Sequence, residues 1–351
     1  MDWHTDYYHD HPRTGVIRSY DFTISRAKIA PDGYERSVML INGAFPGPLI
    51  EANWGDTIQV TLHNNITGPE EGTAIHWHGL LQKQTPWDDG VPGLDSCPVG
   101  PGKSYTYSFI VYLYGSSWYH SHYSAQYATG LIGPMIIHGP CREEYDIDVG
   151  PVMLSDWYHP EYFELVKQTM TSTGRNIFES NNNLINGKMG FNCSSLEDDD
   201  HTPCSSDAPM AEFRFHRGKT HRLRLVNAGA EGLQRFSIDG HTMTVIANDF
   251  VPVEPYETKV VTLGIGQRTD VLVKANGHLS SYWMRSNIST ECSLAILPNA
   301  TAIIRYDDDH SDDLPKSKPW NIPDPGTCLN DALTKTEPVM KLCLPKSDLR
   351  F

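Results

Sequence analysis

From residue 14 to residue 137 short apolar runs are separated by Gly, Pro, Asn and Asp, and within the runs apolar and polar positions alternate with a period of two. That period puts every second side chain on one face of an extended strand. It predicts strands over Ser37-Val38-Met39-Leu40-Ile41, closed by Asn42-Gly43, and over Thr57-Ile58-Gln59-Val60-Thr61-Leu62. Ser104 to Val111 places Tyr105, Tyr107 and Phe109 on one face, and Leu131 to His138 continues the series. The polar, Pro-marked stretch Gly139-Pro140-Cys141-Arg142-Glu143-Glu144-Tyr145-Asp146 is read as a domain boundary. Beyond it the alternation returns in Phe213-Arg214-Phe215, His221 to Val226, Phe236 to Asp239, Thr242 to Ile246, Lys259 to Leu263 and Asp270 to Val273. One helix is predicted around Pro160 to Met170, opened by Pro and acidic groups and carrying no catalytic motif.

The two blocks share a weak internal repeat. Ile41-Asn42-Gly43 and the later Gly55-Asp56-Thr57-Ile58 correspond to Ile185-Asn186-Gly187 and the later Gly218-Lys219-Thr220-His221. After Tyr306 the chain turns acidic and Pro-rich, with Asp307-Asp308-Asp309, Pro315, Pro319, Pro323 and Pro325, and reads as a linker. The expected fold class is therefore all-β, in two consecutive sandwiches or barrels of Greek-key type over residues 13–140 and 150–306, followed by a tail over 307–351.

Composition narrows the function classes. A chain of 351 residues is longer than one core supports, and 28 Gly with 24 Pro favour turns over long helices. A formal charge of -15 with no Lys/Arg cluster excludes nucleic acid and anionic membrane surfaces as expected partners. No run reaches the roughly 18 apolar residues that span a bilayer. The start, Met1-Asp2-Trp3-His4-Thr5-Asp6, lacks the basic and apolar regions of a signal peptide. Asn-x-Ser/Thr sequons at Asn65, Asn192, Asn287 and Asn299, each read as polar and turn-like, nevertheless point to extracellular or secretory-pathway glycosylation. Seven cysteines, without C-x-x-C or zinc-finger spacing, leave at least one unpaired within the chain.

The candidate chemistry lies in the pairs His76/His78 and His120/His122. In a strand, residues i and i+2 face the same way, so two such strands side by side bring four imidazoles together, a set suited to Cu, Zn, Fe or Ni. Isolated histidines such as His138, His216 and His241 are read as hydrogen-bonded or exposed. Trp77, Trp118 and Tyr119 are read as a stiff, dry wall around the imidazoles. The acidic run Asp198-Asp199-Asp200 is read as a solvated loop. Gly264-x-Gly266 lacks the third Gly of a dinucleotide fingerprint and is read as a strand turn.

Taken in order, Pro46-Gly47-Pro48, Gly55-Asp56, Ile75-His76-Trp77-His78-Gly79, Asp89-Gly90-Val91-Pro92, Cys97-Pro98 and Trp118-Tyr119-His120-Ser121-His122 resemble laccase motifs. The second block continues the likeness through Leu154-Ser155-Asp156-Trp157-Tyr158-His159, Leu184-Ile185-Asn186-Gly187, Arg222-Leu223-Arg224-Leu225-Val226-Asn227 and Gly266-Gln267-Arg268-Thr269-Asp270. The chain is thus similar to the fungal, ascomycete-type laccases of the multicopper oxidase family. That resemblance implies three cupredoxin-like domains, of which two are expected here. It implies copper as cofactor, with His76 a type 2 ligand and His78, His120 and His122 type 3 ligands.

The family's other ligands, in a His-rich motif and a His-Cys-His motif that holds the type 1 copper, come from its third domain. None of the seven Cys is flanked by His, so a half-site without type 1 ligands is expected. The resemblance also implies a Cys292–Cys328 bridge, with Cys193–Cys204 the second candidate pair, and matches Cys97 to a cysteine that bridges to the end of the third domain. Asn181 stands where many members have an Asp that takes the phenol proton, and an amide cannot act as that base. The function implied is one-electron oxidation of phenolic substrates, including pigment or secondary-metabolite precursors, coupled to reduction of O2 to water. The expectation is a truncated chain, natural or from an incomplete gene model, whose full activity needs the third domain. Two other classes remain open, a non-catalytic copper-binding or interaction protein and an inactive fragment.

Overall fold

The computed structural model describes residues 1–2, 5–6, 9–171 and 178–341. The first block contributes β1 (Ile17–Ile29), β2 (Arg36–Ile41), β3 (Ile50–Asn53), β4 (Thr57–Asn64), β5 (Ile75–Trp77), β6 (Ser104–Ile110), β7 (Gly115–Ser121) and β8 (Ile132–His138). The second contributes β9 (Ile147–Trp157), α1 (Tyr162–Thr171), β10 (Asn182–Ile185), β11 (Ala211–Phe215), β12 (Thr220–Asn227), β13 (Gln234–Ile238) and β14 (Met243–Asn248). It continues through β15 (Val251–Thr258), β16 (Val261–Leu263), β17 (Arg268–Lys274), β18 (Ser281–Ile288) and β19 (Asn299–Tyr306).

Four sheets result, with strand orders β2-β1-β4-β6 and β3-β8-β7-β5 in the first block, β10-β9-β12-β17-β14-β15 and β11-β19-β18-β13-β16 in the second. The parallel pairs β1/β4, β3/β8, β9/β12 and β11/β19 join otherwise antiparallel neighbours, so strands distant in sequence lie side by side. Alternation decides what is inside. Ile58, Val60 and Leu62 of β4 point inward with Phe22, Ile24, Met39, Tyr107 and Phe109, and Leu223, Leu225, Phe236, Val271 and Val273 do the same in the second block.

The repeat is carried by two hairpin turns with one hydrogen-bond pattern. Asn42 and Asn186 sit at φ 53° and 48°, followed by Gly43 and Gly187 at φ 71° and 70°. Each asparagine reaches back to the neighbouring strand. Asn42 accepts from the Thr23 N–H (2.7 Å) and donates to the Asp21 carbonyl (2.8 Å). Asn186 accepts from the Met153 N–H (2.7 Å) and donates to the Pro151 carbonyl (3.3 Å).

The blocks meet where β7 packs on β12 and β17. Asp270, fully buried, accepts from the Ser116 hydroxyl (2.6 Å) and from Arg222 Nη2 (2.5 Å), while Arg224 Nη1 donates to Ser116 Oγ (2.9 Å). The two guanidinium groups hold the Asp270 carboxyl below its ordinary value against the burial that raises it. A second bridge links the 30–35 loop to the later block: His159 Nε2 lies 2.9 Å from Asp32 Oδ2, and Tyr34 stacks on the imidazole at 3.9 Å.

Two expectations change. The Lys259–Leu263 strand is only Val261–Leu263, because a bend follows β15. The tail contains no strand or helix among its described residues, yet it is a strap on the second block rather than a free linker. Arg305 Nη1 holds Asp309, Ser311 and Asp313; Ser317 Oγ donates to Asp239; Trp320 Nε1 donates to the Ile238 carbonyl. Further on, Cys328 is disulfide-bonded to Cys292, and the Val339 N–H donates to the Pro252 carbonyl at 3.0 Å. Composition alone could not show this, because the partners belong to other strands.

Asn186→Ala removes two hydrogen bonds and leaves a Cβ at positive φ, so it is expected to lower stability by about 2–3 kcal/mol. Asn186→Gly keeps the backbone and should lower it by about 1–2 kcal/mol. Urea unfolding of the two variants measures both, and equal stability of Asn186→Ala and the parent chain contradicts the reading.

Candidate metal centre

β5 and β7 are antiparallel neighbours, and in their register His76 lies directly opposite His120 and Trp77 opposite Tyr119. The pairing runs on past both strand ends, since the His78 N–H donates to the Trp118 carbonyl (3.1 Å) and the His122 N–H to the Ala74 carbonyl (3.3 Å). Period-two alternation then puts His76, His78, Trp118, His120 and His122 on one face. Ring centroids lie 5.3 Å apart for His76/His120, 5.5 Å for His76/His122 and His78/His120, and 5.8 Å for His120/His122.

Three of the four converge. One ligand nitrogen from each of His76, His78 and His120 lies within 4.8 Å of the others. His122, exposed at the rim, is outside that set. The hydrogen bonds settle which nitrogens face inward. His76 Nδ1 donates to the Asp89 carbonyl (2.8 Å) and His120 Nδ1 to the Ser121 carbonyl (3.0 Å), so both keep an Nε2 lone pair. His78 presents Nδ1, which is 3.3 Å from His120 Nε2. That spacing is about what two nitrogens ~2.0–2.1 Å from a shared ion adopt at a tetrahedral angle. Burial and the nearby Arg268 guanidinium lower the His78 imidazole to about 3, and burial holds His120 well below its ordinary value. Neutral imidazoles are what a cation needs. The residues therefore fit copper.

The aromatic wall differs from the expectation. Trp118 stacks on His120 at 4.2 Å and lies 5.0 Å from His78, but Trp77 and Tyr119 point to the other side, into the core of the first block. Alternation makes this unavoidable, because 77 and 119 are the odd positions between ligands. A third His-x-His, His9-Asp10-His11, takes no part: His9 pairs with Asp6 and His11 packs edge-on against Tyr112. His138, His216 and His241 are hydrogen-bonded or ion-paired, to Glu51, to Asp307 and to both Tyr306 and the Asp239 carbonyl.

Sequence reading missed three supports. Gln126, fully buried, accepts from Thr73 Oγ1 (2.9 Å) and Ser121 Oγ (2.9 Å) and donates to Glu71 Oε2 (3.1 Å) and the Gly72 carbonyl (2.9 Å). It thereby ties the approach to β5 to the end of β7. Ser117 Oγ donates to the His78 carbonyl (2.5 Å). From the second block, the 264–267 turn lies against the His78 ring. Gln126 and Ser117 carry no motif, and Gly266 lies in one without showing its contact with His78; the partners are distant in sequence.

The other expected sites fall as follows. Disulfides close Cys193–Cys204 and Cys292–Cys328, Cys97 and Cys141 are free and exposed, and Cys343 lies outside the described residues. Asn65, Asn192 and Asn299 are exposed. Asn287 is not turn-like: it is half-buried within β18, directly opposite Asn299 on β19. Asn181 Oδ1 accepts from the His159 N–H (2.8 Å). Close to it in the fold, the Asp156 carboxylate accepts from the N–H groups of Ala230, Glu231 and Gly232 at 2.7–2.8 Å. Burial, and then the Asp156 charge, push the Glu231 carboxyl up to about 7.

Multicopper oxidase family models match residues 23–142 and 148–309. The chain is 46% identical over 339 residues to Oxidoreductase OpS5 of Beauveria bassiana, covering 96% of this chain and 56% of that protein. It is 42% identical to Laccase-2 of Botryotinia fuckeliana over the same shares. The crystal structure of a laccase from Botrytis aclada aligns with a TM-score of 0.89 at 42% identity, covering 97% of this chain and 61% of that one. The chain thus spans little more than half the length of these curated relatives.

Because Glu231 is raised from 4.5 to about 7 by folding, the folded state binds the extra proton between those values, and stability falls as pH rises through them. Glu231→Gln mimics the protonated acid. Its Tm should match the parent at about pH 5 and exceed it by about pH 8 in thermal melts; a gap that stays constant with pH contradicts this.

Proposed function

The chain belongs to the multicopper oxidase family, and from that membership we propose that it works as a laccase-like copper oxidoreductase, with phenolic small molecules as electron donors and O2 as acceptor. In this reading residues 13–140 and 150–306 are the two cupredoxin-like units. His76 serves as a type 2 ligand and His78, His120 and His122 as type 3 ligands. Together they form half of a copper cluster whose other ligands, with the type 1 site, belong to a third cupredoxin domain. Copper held there supplies one-electron chemistry between the phenol and dioxygen.

The observation that carries the proposal is the convergence of three imidazoles, His76 and His120 each turning an Nε2 lone pair and His78 its Nδ1 toward the others. The chain's own residues do the preparatory work. The Asp89 and Ser121 carbonyls fix the His76 and His120 tautomers, Trp118 stacks against His120, and burial keeps His78 and His120 neutral. Exposed Asn65, Asn192 and Asn299 support a glycosylated, secreted protein, with Asn287 sharing its face with Asn299. No helix among the described residues is long and apolar enough to cross a membrane.

Metal analysis after copper reconstitution tests the reading. The chain should retain copper through dialysis, and His78→Ala with His120→Ala should lower Cu(II) affinity by at least about 100-fold, more than the loss seen when only a supporting residue is changed. Oxygen uptake with a methoxyphenol then separates the readings: turnover by this chain alone overturns the half-site reading, copper without uptake fits a half-site or a non-catalytic copper-binding protein, and no retained copper overturns both.

A further inference from the structure

The reading of the histidines as copper ligands, on which this inference rests, leaves the second block without a part in the metal centre. The 264–267 turn supplies one. Gly266 has φ +79°, and a Cβ built on it would lie 2.8 Å from His78 Cε1 and 2.9 Å from His78 Nε2. The glycine cannot retreat: its N–H donates to the Asn227 carbonyl (2.9 Å), and its carbonyl accepts from Arg268 Nη1 (3.1 Å). Arg268 is itself buried and fixed, with Nε on the Ser116 carbonyl (3.2 Å) and Nη1 on Asp249 (2.8 Å). The His78 ring has little freedom either, since its carbonyl is held by Ser117 and Trp118 lies against the ring.

We propose that Gly266 is a positioning residue, a seat on the second block that receives the His78 imidazole edge-on and leaves Nδ1 as the nitrogen turned toward His120. The Cε1–Nε2 edge faces the glycine, and Nδ1 is the nitrogen that lies 3.3 Å from His120 Nε2. A methyl group here would have to displace the ring by several tenths of an ångström to restore ordinary contact, and the displacement would fall on Nδ1. The two-block architecture is thereby part of the metal site even though all four histidines belong to the first block.

Positive φ alone makes any substitution at this position costly, so a matched control is needed. Gly218 has φ +78° with nothing within 4 Å of a built Cβ. Gly218→Ala therefore carries the backbone strain without the ring contact. Gly266→Asn, whose side chain tolerates positive φ, carries the same Cβ as Gly266→Ala and serves as second variant should the alanine protein not fold.

The test is Cu(II) affinity of the full chain by chelator competition, with the Cu(II) electron paramagnetic resonance spectrum. Gly266→Ala or Gly266→Asn should weaken Cu(II) binding by about tenfold or more and change the hyperfine pattern, while Gly218→Ala changes affinity less than about twofold. In a His78→Ala background the Gly266 change should add less than about twofold, because its effect passes through that ring. Parent-like affinity and spectrum in the Gly266 variants, or a full additional loss on top of His78→Ala, overturns the proposal. A parent chain that binds no Cu(II) overturns the copper reading and this one with it.

Discussion

The candidate metal centre depends on the register between β5 and β7. With His76 opposite His120, the backbone itself brings two imidazoles together, and alternation puts His78 and His122 on the same face. A slip of β5 by one residue would turn His76 and His78 into the hydrophobic core, away from His120, and send Trp77 to the face it now avoids. Three residues of strand are too few to fix β5 by ladder hydrogen bonds alone. The register is held from outside the ladder, by Gln126 bridging both strands at one end and Ser117 gripping the His78 carbonyl at the other.

The seam between the blocks extends the same logic. Asp270 is a carboxylate with no route to water, kept charged by Arg222 and Arg224 and bonded to the hydroxyl of Ser116 on the ligand-bearing strand. Removing one member of such a set leaves a buried charge uncompensated, at a cost of roughly 3–5 kcal/mol. The second block is therefore coupled to the position of β7 as well as to its own core, and Gly266 reaches the ligands from the same segment.

The all-β class and most strands were legible because period-two alternation is a local signal; Thr57 to Leu62 needed nothing beyond its own six residues. The clustering of the histidines was legible because His-x-His is itself period two. What remained hidden is what depends on partners far along the chain. Gln126 looks like any polar residue until Thr73, Glu71 and Ser121 surround it. Gly266 reads as a turn glycine until His78 lies on it, and the Pro-rich tail reads as free until Asp239, Ile238 and Cys292 hold it. The wall assigned jointly to Trp77, Trp118 and Tyr119 ignored the alternation that had correctly paired the histidines.

The duplicated Asn-Gly turns bear on chemical ageing. Asparagine followed by glycine is the sequence most prone to deamidation, because an unshielded glycine N–H can attack the side-chain amide. In both turns that amide donates to a strand carbonyl, of Asp21 or of Pro151, which restrains its rotation. Asn42 is nevertheless exposed, whereas Asn186 is half-buried and Gly187 is covered by Phe45 and Pro46. The two copies of one motif thus have unequal shelf lives. Conversion at Asn42 would set a carboxylate against the Asp21 carbonyl and loosen the first block, which bears the histidine cluster, before the second.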